Sequence, residues 1–384
     1  FRSPNTILEH ETPISESVMW DFLRNYHEQR GIQAWADNDI PYYFTNNYRL
    51  AFNYASMVLS FIQEWIAKHP EADLSQPFTI IEIGTGSGRF AYTFLRTLEK
   101  LQEENPLAIK IKYIMTDACK SNMEFWQGHP QLKTYVEKGQ LDFALWNLCQ
   151  QSCHSLITEV QQQSLTIDKP YFCFANYIFD SLPSDLFSYQ DQHFFEIKQT
   201  ISTPKKNLKN NIPRDLSQLH FKHAILQKEA ESCFEESYLN ALLCDYQEFF
   251  ATSSENNIIN FPTQALRVLH DLNTLAPHPC ILLCSDKGYQ DVSTYSQIED
   301  ILTKVTTFHT SFSVDVNFDA IKRFCKKQNG SHYLPMFETN FNQTAVFSMD
   351  LNLKEYKHCH TQCQLHTNQN DSNHYSSFSQ DART

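Results

Sequence analysis

Hydrophobic and polar positions along this chain fall into two alternating rhythms. Short, unbroken apolar runs read as strands buried on both faces, and mixed segments with apolar residues three and four apart read as amphipathic helices. The first 75 residues carry mostly the second rhythm. Ser15 or Ser17 caps a helix through Met19, Phe22 and Leu23, and Leu50 to Ile66 places Leu50, Tyr54, Met57, Val58, Phe61 and Trp65 on one stripe. An aromatic loop containing Tyr43 and Phe44 lies between them, and Pro70 ends the section. From there strands and helices alternate. Thr79 to Ile83, Ile109 to Thr116, Leu141 to Leu145, Tyr171 to Ala175 and Cys280 to Ser285 are apolar runs of strand length. A helix is expected over Lys120 to Trp126, and the Gln-rich stretch before Pro170 reads as helical. Leu186 to Tyr189 and His193 to Ile197 suit a hairpin across Gln190-Asp191-Gln192.

Beyond the hairpin, Thr200 to Asp215 is polar and basic, a loop or insertion. Helices resume at Tyr246 to Phe250 and Ala265 to Leu272. Val305 to Val314 and Thr344 to Met349 read as two further, antiparallel strands. The order implies an α/β fold, a doubly wound, mostly parallel sheet with helices on both faces. The blocks drawn from it are a helical N-terminal extension (1–75), a ligand-binding half (76–190), an insertion that contacts substrate (191–275), C-terminal strands (276–352) and a polar, poorly packed tail (353–384).

Composition sharpens one stretch. Of 8 glycines in 384 residues, three occupy Gly84, Gly86 and Gly88, directly after the first strand of the alternating part. Strand, glycine turn and helix form the unit that turns bare backbone N–H groups toward a ligand. The dinucleotide fingerprint spaces its last two glycines wider and places its acid about 20 residues on. Here the next strand-terminal acid is Asp117, at the tip of the neighbouring strand. A carboxylate there accepts hydrogen bonds from both hydroxyls of a ribose, and it shares one crevice with the glycine turn.

The pattern Glu82-x-Gly84-Thr85-Gly86-x-Gly88 with Asp117-Ala118 resembles the S-adenosylmethionine (SAM) site of class I methyltransferases, Rossmann-like enzymes. The resemblance implies SAM as cofactor, with Glu82, Gly84, Thr85, Gly86, Gly88, Asp117, Ala118 and Asn176 binding it. Phe174-Ala-Asn176-Tyr-Ile-Phe-Asp180-Ser-Leu-Pro is similar to the Asn-Glu-aromatic-aromatic-Asp-Ala-Leu-Pro motif of the MidA-like methyltransferases. That family includes mitochondrial enzymes that methylate an arginine of a complex I subunit. Tyr43-Phe44-Thr45-Asn46, Ser285-Asp286-Lys287-Gly288-Tyr289 and Ser311 to Phe318 are similar to further segments of it, so the likeness spans about residues 40 to 320. Departures are Tyr177 in place of the family's Glu, Asp315 in place of His, and Lys287 in place of Tyr.

The resemblance implies N-methylation of a protein side chain, arginine first. Carboxylates grip a guanidinium through paired hydrogen bonds, so Asp180 and Asp315 are assigned to the acceptor beside Tyr43 and Phe44. Asp180 and Asn176 are the catalytic candidates, Asp180 to hold or deprotonate the acceptor. Small-molecule methylation and a catalytically silent scaffold or assembly factor stay open.

Net charge of −13 and pI near 5.6 argue against a nucleic-acid binder. No apolar run reaches the roughly 20 residues of a membrane span, so no membrane partner is expected; a protein substrate is, and a homodimer is admissible. The 11 scattered cysteines suit free thiols in a reducing compartment, the cytoplasm, or the mitochondrion if a leader has been removed. The His358, Cys359, His360, Cys363, His366 cluster lacks a matching second half. No metal site is assigned.

Overall fold

The computed structural model describes residues 5–37, 44–149, 155–204, 218–252, 257–292, 306–308, 311–338 and 342–368. In chain order these form Thr6–Pro13 (β1), Val18–Arg30 (α1), Gln33–Ala36 (α2), Tyr48–Lys68 (α3), Phe78–Ile83 (β2) and Arg89–Glu104 (α4). Ile111–Asp117 (β3), Lys120–Gly128 (α5), Pro130–Glu137 (α6), Leu141–Leu145 (β4), Ile157–Thr158 (β5), Gln163–Ser164 (β6) and Tyr171–Asn176 (β7) follow. Asp185–Gln190 (β8), His193–Thr203 (β9), His220–Lys228 (β10), Ser237–Phe250 (α7), Asn257–Phe261 (β11) and Thr263–Leu275 (α8) come next. The remainder is Cys280–Tyr289 (β12), Thr306–Phe308 (β13), Ser311–Ser313 (β14), Val316–Asn317 (β15), Phe318–Lys327 (α9), His332–Tyr333 (β16), Asn342–Met349 (β17) and Lys357–Asn368 (α10).

The chain gathers into two units, each assembled from separated stretches: one from 1–30, 179–267 and 288–324, the other from 31–178, 268–287 and 325–384. The second unit holds the alternating part of the sequence. Its sheet runs β16-β17-β12-β7-β2-β3-β4, with β12, β7, β2, β3 and β4 mutually parallel and β17 antiparallel to β12. Both faces are buried, which is why these strands read as continuous apolar runs. Ile80, Tyr113, Phe172, Phe174 and Leu283 face one core with α3, α4, α5 and α6; the alternate set Ile81, Ile83, Ile114, Cys173 and Leu282 is equally buried. Helix α3 lays Tyr54, Val58, Phe61 and Trp65 into that core, and Asn47 caps it by accepting from the Leu50 N–H.

The first unit carries an antiparallel sheet. β9 pairs with β8, with β1 and, along its other side, with β10; β8 pairs with β11. The expected hairpin is present, and Asp191 and Gln192 both take positive φ (48° and 67°), the two-residue turn whose twist matches its strands. Helix α1 packs Trp20, Phe22 and Leu23 with Ile201 and Phe312.

Four sequence expectations are corrected. The N-terminal extension is not helical throughout, because Thr6–Pro13 pairs with β9 as a strand. The Gln-rich stretch holds the β5–β6 hairpin instead of a helix, tied to β4 by the Glu159 N–H on the Phe143 carbonyl and the Val160 N–H on Asp142. Within Val305 to Val314 the described residues form the β13–β14 hairpin, not one strand. The tail is packed as far as Asn368: α10 buries Cys359, Cys363, His366 and Thr367. The basic run Lys205, Lys206 and Lys209 lies outside the described residues.

Candidate functional site

The glycine turn forms as its spacing demands. Gly84, Gly86 and Gly88 take φ of 63°, 59° and 75°, left-handed values that cost an L side chain about 1–2 kcal/mol each. Space excludes side chains too. A Cβ on Gly84 would lie 2.5 Å from the Ile178 side chain, one on Gly86 2.5 Å from the Trp35 ring, and one on Gly88 3.0 Å from Met115 and Trp126. Trp126 closes the turn by donating from Nε1 to the Gly86 carbonyl at 2.9 Å. Thr85 fastens it to β3, its N–H on the Thr116 carbonyl.

Asp117, at the end of β3, turns toward the glycines. Its Oδ2 accepts from the Gly86 N–H at 3.0 Å and from Asn122 Nδ2 at 3.3 Å, and its Oδ1 accepts from the Cys119 N–H at 2.8 Å. The Ala118 N–H bears on the same carboxylate, so backbone N–H groups and Asn122 together fix its orientation. Burial pushes the Asp117 pKa up, opposed by the N–H donors of Cys119 and Gly86. Ala118, next along, is exposed.

Glu82 sits on the core-facing side of β2, 3% exposed. Burial lifts its pKa from 4.5 to about 8, against the pull of the Thr85 and Tyr113 hydroxyls. Its Oε2 has no hydrogen-bond partner of good geometry among the described residues. One strand over, β7 ends at Asn176, a residue past the Ile83–Ala175 pair. Asn176 Oδ1 accepts from the Tyr54 hydroxyl at 2.8 Å, while its Nδ2 is buried without a partner among the described residues. Tyr177 follows with φ of 54°, strained for a bulky residue, its N–H on the Ser285 carbonyl. The Ile178 N–H donates to Asp286, which is fully buried in the last half of β12.

The structure therefore brings Glu82, Gly84, Thr85, Gly86, Gly88, Asp117 and Asn176 to the carboxyl ends of adjacent parallel strands, where open α/β sheets bind ligands. An unpaired acceptor, an unpaired donor, a carboxylate at the neighbouring strand tip and a turn too tight for Cβ atoms fit a zwitterionic, ribose-bearing cofactor. The turn is not bare: the half-buried Trp35 indole, from α2, lies against Gly86. Trp35, Tyr54, Asn122, Trp126 and Asp286 went unassigned in the sequence. Trp35 belongs to no motif, and Tyr54 reads only as one member of an apolar stripe.

Asp180 and Asp315 belong to the other unit. Asp180, in the single 3-10 turn Phe179–Ser181, is 4% exposed, and its Oδ1 accepts from the Ser181 hydroxyl at 2.8 Å. The Val314 N–H donates to the Asp180 carbonyl at 2.8 Å, which brings Asp315, 9% exposed, into the same neighbourhood. The Asp315 carbonyl accepts from Asn260 Nδ2 at 3.0 Å. The Phe44 carbonyl accepts from Asn47 Nδ2 at 2.8 Å and so belongs to the start of α3. Tyr43 lies outside the described residues.

Among the described residues no group of three His, Cys, Asp or Glu side chains is arranged to hold a metal, and no helix is long and apolar enough to cross a membrane. Comparison with known proteins gives one family, described as S-adenosyl-L-methionine-dependent methyltransferases, which matches residues 57–336. No curated protein matches. Among solved structures, a Burkholderia thailandensis protein bound to S-adenosyl-homocysteine is 12% identical, TM-score 0.49, over 84% of this chain and 74% of that one. An uncharacterised protein of the same organism is 13% identical, TM-score 0.46, over 84% and 72%. An O-methyltransferase family protein, also from Burkholderia thailandensis, is 11% identical, TM-score 0.35, over 89% and 65%.

Proposed function

Because the chain belongs to the family of SAM-dependent methyltransferases, we propose that it methylates a nitrogen of a protein side chain, arginine first. The cofactor is SAM and the fold is the class I methyltransferase sheet, five parallel strands bordered by an antiparallel one. The observation that supports the finer reading is that Asp180 and Asp315 are buried acids of one unit. Each is over nine-tenths buried, and the N–H of Val314, the residue before Asp315, donates to the Asp180 carbonyl. A guanidinium has five donors and no acceptor, so carboxylates suit it. They also restore the acid that Tyr177 replaces in the MidA-like pattern.

When bound, SAM supplies a methyl group on a sulfonium, an electrophile that needs little covalent assistance. The chain's task is alignment and proton removal. Asp117 would hold the ribose, Glu82 and Asn176 would hold the polar end, and the glycine turn would line the cofactor. Asp180 would hold the acceptor nitrogen and take its proton. A protein partner in a reducing compartment completes the reading, with no nucleic acid or membrane involved.

The test is labelling of a lysate with tritiated SAM, followed by acid hydrolysis. The label is expected in protein, as methylarginine, and is expected to disappear with Asp180→Asn and Asp315→Asn. Label confined to the small-molecule extract would replace the protein reading with a metabolite acceptor. Loss of S-adenosyl-homocysteine binding altogether would identify a silent scaffold; the unpaired Glu82 Oε2 and Asn176 Nδ2 speak against that outcome.

A further inference from the structure

Tyr54 is a fully buried member of the apolar stripe of α3. Its ring is held on two sides, 5.5 Å from Phe90 and 5.0 Å from Phe174, so the hydroxyl has a fixed place. That hydroxyl donates to Asn176 Oδ1 at 2.8 Å. A side-chain amide has two different ends, one accepting and one donating. With the oxygen engaged by Tyr54, Asn176 has only its amide hydrogens to offer, and Nδ2 is buried with no partner among the described residues. A buried donor without a partner is costly to maintain and is expected to meet an acceptor when the site is filled.

We infer that Tyr54 is a positioning residue, which locks the Asn176 amide with its donor end toward the ligand and so dedicates Asn176 to the carboxylate of the cofactor's amino-acid end. The assignment rests on the methyltransferase reading of this site and goes beyond it by naming the group recognised. Geometry supports the choice of group. Asn176 stands one residue past the Ile83–Ala175 pair, beside the turn into Gly84. Glu82, on the adjacent strand, presents the complementary unpaired acceptor. A donor on one strand and an acceptor on the next match a zwitterionic amino-acid end, carboxylate to Asn176 and ammonium to Glu82. A protonated guanidinium or ammonium has no lone pair for Nδ2. The methyl-accepting nitrogen is therefore held elsewhere, and Asn176 serves the cofactor.

The test compares two ligands by calorimetry on the whole chain. S-adenosyl-homocysteine carries the amino-acid end; 5′-methylthioadenosine keeps the nucleoside and thioether and lacks it. Tyr54→Phe should weaken S-adenosyl-homocysteine by roughly tenfold, the worth of one charge-assisted hydrogen bond, and leave 5′-methylthioadenosine unchanged. Asn176→Ala should show the same selectivity, and Tyr54→Phe added to Asn176→Ala should cost nothing more, because the tyrosine acts through the amide. Equal losses for both ligands would make Tyr54 a packing residue and overturn the assignment. So would additive losses in the double variant, or no loss in Tyr54→Phe. If the wild-type chain binds neither ligand, the cofactor reading itself falls, a result separate from any difference between the two. Should Tyr54→Phe unfold, Asn176→Ala alone still decides whether the amide reads the carboxylate.

Discussion

Glu82→Gln should stabilise the ligand-free protein, and the gain should grow with pH. The Glu82 carboxyl is 3% exposed and keeps its proton until about pH 8, whereas in the unfolded chain it ionises near 4.5. For an acid whose folded pKa is raised, the sign is the reverse of the usual carboxylate. There is no penalty below pH 4.5, and stability is lost progressively as pH rises toward 8. Each unit of displacement is worth about 1.4 kcal/mol. The penalty therefore comes to about 3 kcal/mol at pH 7 and approaches about 5 kcal/mol above pH 8, as orders of magnitude. Glutamine has the same shape and no proton to lose. Urea unfolding of both proteins between pH 5 and pH 8.5, with the difference plotted against pH, isolates this group from every other titration. The difference should be near zero at the acid end and favour the variant by a few kcal/mol at the alkaline end. A difference flat across the range would refute the argument that Glu82 is buried and protonated. A second reading comes from the ligand. SAM brings positive charge to the site, so its binding should release a proton from Glu82 near neutral pH. Calorimetry in two buffers of different ionisation enthalpy should register that proton, and the Gln variant should lose it.

The turn and the packing give further expectations. Gly86→Ala meets a φ of 59° and the Trp35 ring together, so it should abolish S-adenosyl-homocysteine binding while lowering stability by about 2 kcal/mol; calorimetry and thermal unfolding report the two effects separately. Asp117→Asn sets an amide against the N–H groups of Gly86 and Cys119, and should weaken S-adenosyl-homocysteine at least tenfold, read by calorimetry. Lys112→Met breaks the buried Lys112–Asp142 pair (3.2 Å) and leaves Asp142 charged and fully enclosed, which should cost about 3 kcal/mol in urea unfolding. Removing residues 357–384 strips Cys359 and Cys363 from the core they share with Phe61 and Tyr356. The shortened chain should melt several degrees lower, where a loose tail would leave the midpoint unmoved.

The parts of this protein that were legible in its sequence share a physical property: their signal is local. A strand buried on both faces must be apolar at every position, so Thr79 to Ile83 and Tyr171 to Ala175 declare themselves. A left-handed turn beneath crowding side chains admits only glycine, so Gly84, Gly86 and Gly88 mark the site in a chain otherwise sparing of that residue. Asp117 followed because a parallel neighbour brings its tip to the same end of the sheet. What the tertiary structure alone decided depends on partners far away in sequence. β10 is exposed along most of its length and carries no alternation, and it is a strand because β9 offers it a ladder of hydrogen bonds. The tail looks polar, yet Cys359, Cys363 and His366 recur at helical spacing and find a core to enter. Trp35 reaches Gly86 from a helix of four residues that no periodicity could announce. Tyr54 passes for one more apolar position until the fold sets its hydroxyl against Asn176. Composition and spacing specify what one segment needs; which segment answers the need is settled only when the chain closes on itself.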